Sequence, residues 1–185
     1  MNAGVLIAIL VVLVVIVLLA VVLGQRRRTG RLQQQFGPEY QRTVARTGDQ
    51  RSAEADLAAR EQRRRALDIV ALEPAARDRY LEAWRVTQGR FVDDPAGATR
   101  EADMLVADVM RDRGYPVDDF EQRAADISVD HPQVVDDYRA AHAVAEASER
   151  FQATTEDLRR ALVHYRSLFA ELLDVEGDGR KEAYR

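Results

Sequence analysis

The chain has no cysteine among its 185 residues, which excludes disulfides, thiolate zinc sites and cysteine nucleophiles at once. Lysine is almost absent: Lys181 is the single one, and every other basic side chain is arginine. No segment alternates with a period of two and no Asn-Gly hairpin signal occurs, so nothing argues for strands. No glycine-rich phosphate loop, G-x-S-x-G or dinucleotide fingerprint is present, and the three histidines, His131, His142 and His164, include no His-Glu-x-x-His pair. These absences remove the common signatures of nucleotide, acyl-transfer and zinc-protease chemistry.

One stretch lacks charge altogether. Ala3–Leu23 is 21 apolar residues without interruption, followed by Arg26, Arg27, Arg28 and Arg31. As a helix it is roughly 32 Å long, close to the hydrocarbon thickness of a bilayer. Only Met1 and Asn2 precede it, and Val22-Leu23-Gly24-Gln25 is a poor cleavage site, so a retained anchor is expected rather than a signal peptide. The arginine flank predicts an N-terminus outside and a C-terminal domain in the cytoplasm, with the bilayer as the first partner. These four arginines are the candidate membrane-surface residues, each adding about 1 kcal/mol of attraction to anionic headgroups.

Charge divides the remainder. Residues 24–66 carry a net of +6 and residues 67–185 a net of −10. The acidic part is repelled by nucleic acid, so nucleic-acid binding is not expected of it.

The fold class expected is all-α: one N-terminal transmembrane helix (3–23), a basic tether and polar stalk helix (24–72), a four- to five-helix bundle (73–174) and a polar tail (175–185). Gly24, Gly30 and Gly37-Pro38 read as the tether, and Arg51–Leu72 as the stalk. Asp56–Arg60 and Glu61–Arg65 are i,i+4 pairs of the favourable order. The cluster Arg60, Arg63–Arg65 reads as a solvated face, and a polar helix of this kind can also pair with its own copy as a coiled coil, which leaves homo-oligomerisation open. Tyr80, Trp84 and Phe91 share one face of the next helix, with Leu81 beside them. Asp94-Pro95 opens a helix whose stripe is Ala98, Ala102, Leu105, Val106, Val109 and Met110, with Asp103, Asp108 and Arg111 outward and Gly114 as its terminator. Asp118 or Asp119 opens a shorter helix, Pro132 another. Thr154 and Asp157 approximate a capping box before Leu158, Leu162, Tyr165, Phe169 and Leu172, the strongest amphipathic stripe in the chain.

The paired acids Asp93-Asp94, Asp118-Asp119 and Asp136-Asp137 sit near helix starts, where capping accounts for them. Asp174-Val-Glu-Gly-Asp-Gly begins like a calcium loop but ends on Arg185 where a bidentate glutamate is required. No cofactor, metal or catalytic residue is assigned. Two alternatives remain: a metal-dependent hydrolase using Asp118, Asp119, Asp126, Asp130, His131 and His142, and an apolar-ligand or lipid module lined by Tyr80, Trp84, Phe120 and Tyr138.

Arg90-Phe-Val-Asp-Asp-Pro95, Arg113-Gly-Tyr-Pro116, Asp119-Phe-Glu-Gln-Arg-Ala-Ala-Asp-Ile-Ser-Val-Asp-His-Pro132, Tyr138-Arg-Ala-Ala-His142 and His164-Tyr-Arg-Ser-Leu-Phe169 resemble a family of single-span proteins of high-GC bacteria, often labelled secreted or membrane. The resemblance runs from about Tyr40 to Leu173. It implies a bacterial source and one continuous domain, and carries no activity. The leading expectation is an inner-membrane protein whose cytoplasmic helical domain binds another protein as an adaptor or scaffold, not an enzyme.

Overall fold

The structure, a computed structural model, describes residues 3–173. The polar tail 175–185 and the Asp174 loop lie outside the described residues. All regular structure among the described residues is helical: α1 (Ala3–Phe36), α2 (Pro38–Thr47), α3 (Gln50–Ala66), α4 (Pro74–Arg90), α5 (Pro95–Asp112), α6 (Phe120–Asp130), α7 (Val135–Glu149) and α8 (Thr155–Leu172). Two compact units divide at Leu57–Ala58, within α3.

In the first unit, α1 does not stop after the apolar run. It continues through Gly24 and Gly30 to Phe36, so the expected tether is helical up to that point. Each glycine costs a helix about 1 kcal/mol, but the neighbouring Arg, Gln and Leu are strong helix formers and supply the propensity. The break falls at Gly37, whose φ of 47° is left-handed, and Pro38 starts α2. Gly48, at φ 69°, ends α2, and Asp49 accepts from the Ser52 backbone N–H at 2.8 Å to open α3. Leu32, Phe36, Tyr40, Ala53 and Leu57 are buried. Over the described residues no helix is long and apolar enough to cross a membrane; most side chains of the Ala3–Leu23 run fall outside that set.

In the second unit, α8 packs against both α5 and α7, α4 against α5, and α6 against α7. The stripe of α8 is buried as its spacing predicts: Leu158, Ala161, Leu162, Tyr165, Leu168, Phe169 and Leu172. Its start is the expected capping box, Thr154 with Asp157. Trp84 of α4 enters the core and stacks on Phe169, ring centroids 4.6 Å apart. Leu81, expected beside it, is 41% exposed. On α5, Ala98, Ala102, Val106, Val109 and Met110 are buried and Asp94 caps the Gly97 N–H at 2.9 Å.

Two boundaries differ from the expected ones, and a third is decided between two candidates. The stalk helix ends at Ala66 rather than Leu72: residues 67–73 leave the helix and form an irregular strap in which Leu67, Ile69 and Leu72 pack on the core. The strap is tied to the end of α5 by Val70 N–H to Arg113 O at 3.0 Å. Pro132 lies in a turn, and α7 starts three residues later at Val135, because Val134 N–H bonds His131 O and closes that turn first. Of the two candidates for the start of α6, Asp119 is the cap, accepting from Gln122 N–H at 2.7 Å.

Candidate functional site

In the first unit, Arg26, Arg27, Arg28 and Arg31 are exposed along α1. Beside them lies an open groove of about 380 Å³, lined by Gln25, Arg26, Thr29, Gly30, Gln33 and Gln50. Glu54 organises one wall. Its carboxylate accepts from Thr29 Oγ1 at 2.7 Å, Gln50 Nε2 at 2.9 Å and Tyr40 Oη at 3.0 Å. Burial opposes its ionisation, but these three donors and the Arg28 charge outweigh it and hold the carboxyl below the usual range.

The acids and histidines proposed as a hydrolase cluster do not assemble. Asp119 is spent on capping α6. Asp126 is buried and accepts from Gln122 Nε2 at 2.8 Å, with Arg63 Nε 3.7 Å away. Asp130 accepts from Tyr115 Oη and from Arg64, whose guanidinium lies 5.8 Å from the Tyr115 ring centre. His131 places Nδ1 3.2 Å from Glu171. Burial pushes its pKa below the ordinary imidazole value, against the opposing pull of Glu171 and Asp130. Asp118 precedes the cap and lies outside α6. Among the described residues no group of three or more His, Asp or Glu side chains is placed to hold a metal ion.

The same contacts revise the basic cluster on α3. Arg60 is buried, donating to Ser128 Oγ at 3.1 Å, and Arg64 pairs with Asp130. With Arg63 near Asp126, one side of the end of α3 forms a polar seam with α6 rather than a solvated face. Arg65 remains 70% exposed, 3.6 Å from Glu61 as the i,i+4 spacing predicts.

The second polar assembly was not legible in the sequence. Asp103, expected to face outward, accepts from Tyr165 Oη at 2.9 Å and lies 3.5 Å from His142 Nδ1. The other ring nitrogen of His142 is 3.7 Å from Glu146. The imidazole stacks on Phe120 at 3.6 Å, and Arg123 lies 5.7 Å from the centre of the same ring. Burial works against the Asp103 charge, yet His142, Tyr165 and Arg123 hold its carboxyl below the usual range. Tyr165 and Tyr138 are both pushed upward, chiefly by burial. Arg123 Nε, Tyr138 Oη and His142 Nδ1 are buried without a hydrogen bond among the described residues. A cleft of about 190 Å³, lined by Arg100, Asp103, His142, Glu146, Ser148 and Glu149 among others, opens beside this assembly. Phe120, Tyr138 and Trp84 thus act as core and ring-stacking partners. Tyr80 donates to Asp112 at 2.7 Å, a surface contact.

One further residue stands out. Phe151, between α7 and α8, is 97% exposed and has φ 57°. Its N–H bonds Ser148 O and the Gln152 N–H bonds Ala147 O, both at 2.9 Å, the paired bonds of a Schellman turn with phenylalanine where glycine is usual. The sequence signal was slight: one large apolar residue between Glu149-Arg150 and Gln152, off the stripe of either helix.

Comparison of the chain with protein-family models, with curated proteins and with solved structures gives no match.

Proposed function

We propose that this chain is a single-pass protein of the bacterial inner membrane, N-terminus outside, whose cytoplasmic helical domain acts as an adaptor or scaffold for another protein. Its membrane half rests on the charge-free run Ala3–Leu23 with Arg26, Arg27, Arg28 and Arg31 immediately after it. The continuity of α1 across both segments is compatible with one helix entering and leaving the bilayer. The bacterial source rests on the sequence resemblance given above.

Phe151 carries the binding half. A non-glycine residue in the left-handed region costs about 1–2 kcal/mol, and a fully exposed aromatic ring recovers nothing by packing within the fold. Strain held at an exposed aromatic side chain is an argument for contact with a partner, since aromatic rings dominate binding hot spots. We accordingly propose binding rather than catalysis, with no cofactor, no nucleic-acid partner and self-association left as a further mode.

Two measurements test this. An epitope after Arg185 should resist protease in spheroplasts and be lost in inverted vesicles; the reverse pattern places the domain outside the cytoplasm. Crosslinking pull-downs with the full chain and with Phe151→Gly should share their background and differ in one specific protein, lost from the variant. Identical recoveries from both would remove Phe151 as the contact residue.

A further inference from the structure

We propose that the groove beside the start of the basic segment binds the headgroup phosphodiester of an anionic phospholipid, making it a specific lipid site rather than part of a diffuse basic surface. This rests on the membrane reading of Ala3–Leu23 given above.

Four of the six lining residues, Arg26, Thr29, Gly30 and Gln33, follow one another at i, i+3, i+4 and i+7, which sets them on one face of α1. Arg27, Arg28 and Arg31 are not in the lining. At about 1.5 Å per residue, Gln25 to Gly30 lie roughly 3–10 Å beyond Leu23, the depth of the polar headgroup layer if the apolar run ends at the hydrocarbon boundary. The depth selects the lipid as the source of the phosphate.

The chemistry of the lining fits. Arg26 offers a planar fork of donors that matches phosphate oxygens. Gln25, Gln33 and Gln50 add neutral amides, which bond phosphate and glycerol oxygens alike. Gly30 leaves the floor open: a Cβ built there meets nothing within 4 Å. The acid nearby, Glu54, is outside the lining, and the three hydrogen bonds from Thr29, Gln50 and Tyr40 converge on its Oε1 and hold the wall in place.

Native mass spectrometry of the full chain released from neutral detergent tests the site, with dioleoyl phosphatidylglycerol, dioleoyl phosphatidylcholine and free glycerol phosphate as probes. The wild type should retain one phosphatidylglycerol at least tenfold more strongly than phosphatidylcholine. Gly30→Leu fills the groove without changing charge and raises helix propensity, so it should fold and lose that preference. Arg26→Gln should lose it also. Arg27→Gln removes an equal charge outside the groove and should cost only about fivefold, the weight of one surface arginine. Equal losses from Arg26→Gln and Arg27→Gln with full binding by Gly30→Leu would reduce the groove to diffuse electrostatics and overturn the proposal. Competition by glycerol phosphate at equal concentration would assign the site to a soluble phosphate ester and overturn the lipid assignment. Alkaline extraction of membranes from the same cells separates the two levels: release of the wild type defeats the anchor, whereas retention together with unselective lipid binding defeats the groove alone.

Discussion

Gly114 and Phe151 occupy the same position in the same kind of turn, and the comparison shows what a single side chain does there. Each follows a helix in a left-handed conformation, φ 96° and 57°, and each turn is closed by a bond from the next residue's N–H to the carbonyl five residues back: Tyr115 to Met110, Gln152 to Ala147. At Gly114 the absent Cβ is needed twice, because one built there would stand 2.4 Å from the backbone oxygen of Asp68 in the strap. Gly114→Ala is expected to lower stability by about 2–4 kcal/mol, seen as a fall in the urea midpoint of the full chain. Phe151→Gly is expected to raise it, by up to about 1 kcal/mol, because the strain disappears and no packing is lost. Gly114 was legible as a helix terminator, since glycine after an apolar stripe and before Tyr-Pro has a local meaning. Phe151 was not, because nothing in its identity announces a positive φ. Asp103 failed for another reason: its place at the margin of the α5 stripe reads as solvent-facing until Tyr165, 62 positions later, supplies the hydroxyl.

At the scale of elements, caps and stripes were readable and seams between elements were not. Asp94, Asp119, Thr154 and the prolines at the starts of α4 and α5 act within one turn of themselves, so their roles follow from neighbours in sequence. The polar seam between the end of α3 and α6 joins residues more than sixty positions apart: Arg60 with Ser128 and Arg64 with Asp130. Such pairing turned an apparently solvated basic face into a partly buried one. A double-mutant cycle on Arg64→Ala and Asp130→Ala should give a coupling of about 1–2 kcal/mol, intermediate between exposed pairs and fully buried ones. A coupling near zero would return Arg64 to the solvated face that its sequence suggests. Asp130→Asn alone should cost less than Asp130→Ala, since an amide still accepts from Tyr115.

At the scale of the whole molecule, acid works against the fold through His131 first and Asp103 later. His131 is held neutral by burial, so its pKa in the folded chain lies below the unfolded value of 6.5. Between those two values the unfolded chain binds the proton more readily, and stability therefore falls as pH drops below 6.5. Asp103 is depressed from 3.8, so its contribution is present above that value and disappears as pH falls through the folded pKa. Urea midpoints of the full chain in neutral detergent should decline between pH 7 and pH 5, and His131→Gln should flatten that decline; an unchanged slope would assign it to other groups. A different consequence belongs to α1. With no break from Ala3 to Phe36, the helix is a single rod of roughly 51 Å. A tether of loose glycines would let one end swivel independently of the other. A rod transmits torque: turning its apolar half about the axis turns the buried Leu32 and Phe36 through the same angle, so anything that grips the apolar half has a mechanical hold on the packing of the other.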